Sequence, residues 1–328
     1  MKRLFLIGPI CLAMALGIFI NGAQVADAAQ TVLKLGHITA PGGLLDKHAQ
    51  KFKELVSIKS KGAVRIDVYP AAQLGKMGKI LEGLTMGTVD MALESLGFLS
   101  RFNKDINFYN LSFLWENAQE IMDDNYLREV LEKIRKKNNI RTLAYNGVRP
   151  ALHLWTYPKP VQSLDELKGM KLRVPPAKAY VACWNGLGAI AVAIPWSEVY
   201  MSLAQHVVDG MTHNCLQIRD EHFYEHLRYV TLLDFKPTLS CIWISDSKHK
   251  SLSPDIQKLL SEAAIEAGNY FSEIAKQGDL EAWEQVKKSG IKVYTTDRDP
   301  WFKKARGVIK ELEEKGTWSK GLLKKSGK

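Results

Sequence analysis

The chain has 328 residues, of which 46% are hydrophobic and 24% charged, and a formal net charge of +10. That composition excludes a disordered or fibrous chain, and the length exceeds one typical domain, so two lobes are expected. Lys and Arg are spread along the chain with no zinc finger, helical basic region or aromatic RNA-binding motif beside them, which excludes nucleic acid as the expected partner.

In chain order, the first segment reads as a signal peptide over residues 1–28. Lys2 and Arg3 form a positive start, Leu4 to Ile20 is apolar, and Ala26-Asp27-Ala28 supplies a small-x-small cleavage pattern. Cys11 lies inside the apolar run rather than after it, which argues against a lipid attachment site. No later segment is long and apolar enough to span a bilayer. Removal of residues 1–28 takes away Lys2, Arg3 and Asp27 and leaves about +9, a balance that suits anionic ligands. Of the remaining cysteines, Cys183, Cys215 and Cys241 are too widely spaced for a metal signature and read as buried small apolar residues.

Val32 to Leu35 predicts a first strand, and Leu44 to Lys59 a helix that Gly62 ends. Val64, Ile66 and Val68 alternate with polar residues in a half-buried strand stopped by Pro70. Lys76 to Met86 predicts a helix, and Val89 to Leu93 a buried strand. The βαβαβ order argues for a parallel sheet covered by helices. The pattern restarts with Ile140 to Tyr145 and Met170 to Val174 as strands. Ala177 to Gly186 follows as a helix, Ala189 to Ile194 as a buried strand, Ser197 to Gln205 as a helix and Val207 to Asp209 as a strand. Leu84 to Asp90 echoes Leu203 to Asp209, which fits two similar α/β lobes. Ser253-Pro254 is an N-cap with proline in the first turn, and an apolar stripe then runs to Val286 before Gly290. A helix of that length would run about 55 Å, enough to cross two lobes. A second helix, Pro300 to Lys315, closes the chain.

Arg149 and Arg173 both fall near predicted strand ends, where open α/β sheets bind ligands. An arginine in an apolar, doubly covered strand needs an anionic partner, either a ligand carboxylate or a protein carboxylate. His222-Phe-Tyr-Glu225-His226 matches the inverted zinc-protease pattern, which raises a zinc hydrolase as an alternative. No nucleophile elbow, P-loop or dinucleotide fingerprint accompanies it.

Several longer signatures occur together. They are Val64 to Pro70 running into Gln73-Leu74-Gly75, Gly87-Thr-Val-Asp-Met91, Leu164 to Pro175, and Glu198-Val-Tyr200 leading to Val208-Asp-Gly210. In these the chain resembles the substrate-binding subunits of tripartite ATP-independent periplasmic (TRAP) transporters, of the C4-dicarboxylate-binding type. The resemblance implies a two-lobed α/β binding protein of the Venus-flytrap kind, with a long helix spanning both lobes. Lobe I is expected over residues 29–146 plus 235–275, and lobe II over 147–234 plus 276–328. It also implies a periplasmic protein that is not an enzyme and needs no metal or organic cofactor. A small organic acid would be its ligand, and the small and large membrane subunits its partners. The same fold could instead present the ligand to a sensor kinase. A monomer is the default.

The family's carboxylate-binding arginine matches Arg173, and a second ligand-facing arginine matches Arg149. Sialate-binding relatives carry Gln-Glu-Asn after Val-Asp-Gly, with the Asn on the ligand. Here His213 takes that place and Asn214 follows. Glu94 matches a position that touches ligand in some relatives, and His37 lies in the first loop near the cleft. Trp155, Trp184 and Trp196 fall in segments that edge the cleft, and Trp196 joins the expected ligand contacts. A monocarboxylate with an apolar or aromatic body is the favoured ligand, ahead of a hydroxy acid, sugar acid or dicarboxylate.

Overall fold

The computed structural model describes residues 30–327. The expected signal peptide and Cys11 lie outside those residues. Strands are numbered β1 to β11 in chain order. The first sheet contains β1 (Thr31–Gly36), β2 (Val64–Tyr69), β3 (Met91–Ser95), β4 (Ile140–Val148) and β10 (Leu239–Ser245), ordered β2-β1-β3-β10-β4. The second contains β5 (His153–Thr156), β6 (Lys171–Val174), β7 (Ile190–Ala193), β8 (Gly210–His213), β9 (Tyr229–Leu232) and β11 (Lys292–Thr295), ordered β11-β9-β5-β8-β6-β7.

The expected parallel sheet is in fact mixed. β1 pairs parallel with β2 and β3, but β10 runs antiparallel between β3 and β4. The second sheet repeats the device, with β5 antiparallel to both β8 and β9. In each sheet one strand arrives from across the molecule, and local periodicity carries no information on that. The chain passes between the sheets through residues 149–152 and 233–238.

The third connection is the helix Pro254–Lys288. The Ser253 side chain accepts from the Ile256 N–H, proline occupies the first turn, and the helix runs unbroken for 35 residues. That is about 52 Å. Its first half packs on β4 and on the helix Leu44–Lys59, and its second half on the helix Cys215–Asp220. Trp283 stacks on Trp155 of β5 at 5.6 Å and 20°. Gly268 permits close approach to β4, since a Cβ there would lie 2.2 Å from Asn146 Oδ1. One core of Leu33, Leu35, Ile66, Leu93, Ile242 and Ile244 continues through Ala263, Ala267 and Phe271 of this helix to Met211 and Val230.

Other expectations need correction. Residues 189–194 are not a buried strand, because β7 is a sheet edge and Ile190 is 50% exposed. Val207 to Asp209 form a turn, and the strand begins at Gly210. A Cβ at Gly210 would meet the Trp155 carbonyl at 2.1 Å, so β8 and β5 approach more closely than a larger residue allows. The segment after Glu314 returns to the first sheet's side. Trp318 lies 5.8 Å from Phe108, and Ser319 donates to the Asp105 carboxylate from both N and Oγ. The three cysteines are free and buried.

Candidate functional site

A cavity of about 480 Å³ opens between the two sheets. Ile38, Met77, Phe98, Leu152, Pro175 and Trp196 give it apolar walls, and Arg149, Arg173, Lys236 and Glu94 supply its buried charges. Ligand sites of α/β proteins have this character, a mostly apolar concavity with few convergent polar groups.

Arg173 lies on β6, buried between Leu172 and Val174. Its Nε donates to the Ile194 carbonyl at 3.0 Å, and its guanidinium lies over the Trp196 ring at 5.2 Å. Among the described residues no carboxylate pairs with it. Burial pulls its pKa down to about 10, which still leaves it charged. Trp196 sits in a single turn of helix after Pro195, and its indole N–H donates to Glu221 Oε1 at 3.1 Å.

Arg149 occupies the first crossing, just after β4. Its Nη2 donates to Glu94 Oε1 at 2.5 Å, and its Nη1 to Gln217 Oε1 at 3.3 Å. Of the two partners open to it from sequence, Arg149 therefore has a protein carboxylate. Glu94, on β3, is its counter-ion and lines the cavity in that role.

His213, at the end of β8, also lines the cavity, with its ring 4.8 Å from that of Trp196. Burial, then the positive charges of Arg149, Arg173 and Lys236, hold it neutral, well below the usual imidazole range. Asn214 and His37 do not line the cavity. Asn214 caps the helix Cys215–Asp220 by accepting from the Gln217 N–H, and its Nδ2 holds Gln217 Oε1 at 3.2 Å. It acts on Arg149 through Gln217. His37 is bonded to Thr39 and Asp46, each at 3.2 Å, and fixes the loop that carries Ile38 and Thr39 to the cavity. Trp155 and Trp184 are core residues.

Sequence reasoning missed Lys236. It lies in the second crossing, is buried, bonds Asn110 Oδ1, and places Nζ 4.7 Å from the Tyr180 ring. Burial, then Arg149, pulls its pKa down to about 7. A signal existed, since Phe235-Lys236-Pro237 interrupts an apolar run at the expected lobe boundary. Gln217, Tyr180 and Thr212 were missed too, and Tyr180 Oη and Thr212 Oγ1 lie 3.4 Å apart in the lining.

Three contacts join the lobes across the mouth. The Leu44 N–H donates to Asp220 Oδ2 and the Ala40 N–H to Glu221 Oε1, each at 3.0 Å, and Lys76 pairs with Glu198. The zinc pattern is not built. His222 has φ +57° and only a short 3₁₀ turn follows, so His222 and His226 do not share a helix face. Among the described residues no cluster of three or more His, Cys, Asp or Glu could hold a metal ion.

A family model described as bacterial extracellular solute-binding protein, family 7, matches residues 35–315. The chain belongs to that family. Its relatives include the sialic acid-binding periplasmic protein SiaP of Vibrio cholerae, 25% identical over 92% of this chain and 94% of that one. The C4-dicarboxylate-binding periplasmic protein DctP of Rhodobacter capsulatus is 27% identical over 94% of this chain and 93% of its own. A TRAP solute-binding protein from Ochrobacterium anthropi with bound L-fuconate superposes with TM-score 0.84 at 26% identity, covering 91% of this chain and 98% of that one. One from Shewanella oneidensis with bound succinate gives 0.81 at 25% identity, covering 87% and 95%. This family 7 chain is thus a TRAP-type binding protein of the periplasm, a class that binds small organic acids for membrane transport components and is not enzymatic. Among its described residues no helix is long and apolar enough to cross a membrane.

Proposed function

We propose that this solute-binding protein captures a small organic carboxylate through Arg173 and hands it to the TRAP membrane subunits. The observation that carries the reading is Arg173 itself. It is buried, its Nε is committed to a backbone carbonyl, and among the described residues no carboxylate pairs with it. A buried unpaired guanidinium is costly, and a ligand carboxylate accepting two parallel hydrogen bonds from its fork removes that cost. A further atom supports a ligand here, since among the described residues Arg149 Nε is buried without a hydrogen-bond partner. L-fuconate and succinate in the solved relatives are both carboxylates.

The apolar walls and the Trp196 ring suit a ligand with an apolar or flat body, held by area and stacking. Closure would rotate lobe I, residues 29–146 plus 235–275, against lobe II, residues 147–234 plus 276–314, with the segment after Glu314 moving with lobe I. Hinge closure of this kind buries the ligand and presents a single shape to the membrane subunits. We take the protein to act as a monomer.

Thermal-shift scanning against a panel of small acids tests the reading, with Arg173→Ala alongside. A ligand that binds only the folded state stabilises by mass action, about 2.7 kcal/mol at a hundredfold excess over Kd. Stabilisation by one class of acid, lost in the variant, is the expected outcome. A panel that leaves the melting temperature unmoved overturns it.

A further inference from the structure

Three segments that are far apart in the chain bring lysines to one face of the first lobe. The helix Asn125–Asn138 supplies Lys133, Lys136 and Lys137. Cations in a last helical turn complement the helix dipole, which accounts for Lys136 and Lys137 but not for Lys133. Lys104, from the loop before Asp105, shares a shallow hollow with Phe102, Lys133, Lys136 and Lys137. Lys325, from the short helix Leu322–Lys325, lies over the Tyr126 ring at 5.5 Å, and Lys133 lies over the same ring at 5.3 Å. All five lysines are exposed, while Phe102 and Tyr126 are half-buried.

The fold ties these segments together. Buried Asp105 accepts from Tyr126 Oη at 2.7 Å and from Ser319 N and Oγ at 2.7 and 3.1 Å. Lys104 Nζ donates to the Gly316 carbonyl at 3.4 Å. Of the carboxylates at hand, Asp105 is committed to those donors, and Glu132 is paired with Arg135 and Lys136. Glu129 is exposed on the same helix. Among the described residues no carboxylate pairs with Lys104, Lys133, Lys137 or Lys325. Like charges gathered without counter-ions repel one another, and an anionic surface removes that repulsion.

Residue type indicates which anionic surface fits. Protein interfaces are depleted in lysine and enriched in arginine and aromatic residues. Here the cations are ammonium groups on flexible stems, which suit the diffuse charge of a bilayer surface rather than a shaped epitope. The face also adjoins the cavity, because Arg101 lines the mouth and its guanidinium lies 5.6 Å from the ring of Phe102 in the hollow.

We propose that Lys104, Lys133, Lys136, Lys137 and Lys325 form a docking face for anionic phospholipid, which brings the cavity mouth close to the membrane that holds the transport partners. The contact is peripheral and salt-sensitive. It goes beyond the carboxylate reading and does not depend on it.

The test sediments the mature protein with vesicles of phosphatidylglycerol and phosphatidylcholine in equal parts, and with phosphatidylcholine alone. Binding to the anionic vesicles at low salt is expected, with little to the neutral ones and release at about 1 M salt, where the screening length falls to about 3 Å. Each lysine near an anionic surface contributes about fivefold to binding, so Lys133→Gln, Lys137→Gln and Lys325→Gln together should weaken it on the order of a hundredfold. All three side chains are exposed, so the melting temperature and the binding of acid in the cavity should stay unchanged. Lys133→Gln alone, expected to cost about fivefold, serves if the triple variant does not fold. A control removes equal charge from the second lobe through Lys287→Gln, Lys288→Gln and Lys292→Gln, also exposed, and should keep most of the binding. Absence of binding to the anionic vesicles, equal binding to both kinds, or an equal loss in the control overturns the inference. The last outcome would assign the binding to net charge rather than to this face. The carboxylate reading is decided separately, by the panel of acids and Arg173→Ala.

Discussion

Glu94 Oε1 lies 2.5 Å from Arg149 Nη2, and both side chains are buried. The pair bridges a central strand of the first sheet and the crossing that leads to the second. It leaves Arg149 compensated before any ligand arrives. Glu94→Gln keeps an acceptor of the same shape but removes the charge. Removing one charge from a buried pair is strongly unfavourable, and with the acceptor retained the loss should be on the order of 2–3 kcal/mol. Affinity for an acidic ligand should hold or rise, because the lining becomes more positive. Melting curves and calorimetric titration measure the two effects separately. Weakened binding with unchanged stability would show instead that Glu94 contacts the ligand.

Arg173→Lys tests the clamp. Lysine retains the charge but not the planar fork, and its flexible stem cannot also hold the Ile194 carbonyl through an Nε. A bidentate, charge-assisted contact reduced to one hydrogen bond should weaken binding by about 1.5–3 kcal/mol, or roughly ten- to a hundredfold. Calorimetric titration with the acid selected by thermal shift measures it. Equal affinity in the two proteins sinks the clamp.

Much of this was legible where the signal is local. Ser253-Pro254 and the apolar stripe to Val286 announced the long helix because capping and periodicity are short-range physics. Arg149 and Arg173 stood out because charge in an apolar strand demands a partner. His37 and Asn214 were expected at the ligand from loop position and resemblance, and local spacing does not show that their side chains bond nearby to Asp46 and Gln217. The His222 to His226 pattern assumed a helix, and a left-handed His222 removes it. Lys236 was passed over because only the folded crossing brings it beside Asn110 and Tyr180. The antiparallel place of β10 was hidden for the same reason, since its pairing partners β3 and β4 lie far away in sequence.

Trp196 links the ligand pocket to the contacts across the mouth. Its ring lies under the Arg173 guanidinium, and its N–H donates to Glu221, which also accepts from the Ala40 N–H of the opposite lobe. Burial pushes the Glu221 carboxyl up, against the pull of those two donors. Trp196→Phe keeps a ring for Arg173 and deletes the donor. Each net hydrogen bond is worth about 0.5–1.5 kcal/mol, and somewhat more to a charged acceptor. The variant should bind its acid about tenfold more weakly, and Glu221→Ala should shift the ligand-free protein toward a more open shape. Small-angle scattering reads the second effect as a larger radius of gyration. An unchanged radius in Glu221→Ala shows that these contacts do not hold the lobes together.

Acid should destabilise the ligand-free protein through histidines that are neutral when folded. Burial, then Arg149 and His37, depresses His48 to about 3, and burial holds His213 well below its usual value. The unfolded chain protonates these rings near pH 6.5, so between there and the folded values it binds more protons than the native state. Stability is therefore fully present above about pH 6.5 and is lost as pH falls. The slope is about 1.4 kcal/mol per pH unit for each such histidine. Glu221, with its raised pKa, opposes the trend in its own range. Lys236 extends the same sign upward. Its folded value of about 7 lies below the ordinary 10.5, so deprotonation favours the folded state and stability rises with pH between the two. Urea unfolding at pH 5, 7 and 9 should show increasing stability across both intervals. The Lys236→Met variant should lose the gain between pH 7 and 9 and keep the one between 5 and 7, because its remaining depressed groups are histidines, which titrate below 7, and Arg173, which titrates above 9. A pH 7 to 9 gain unchanged in the variant would mean that Lys236 stays charged in the folded protein throughout that range.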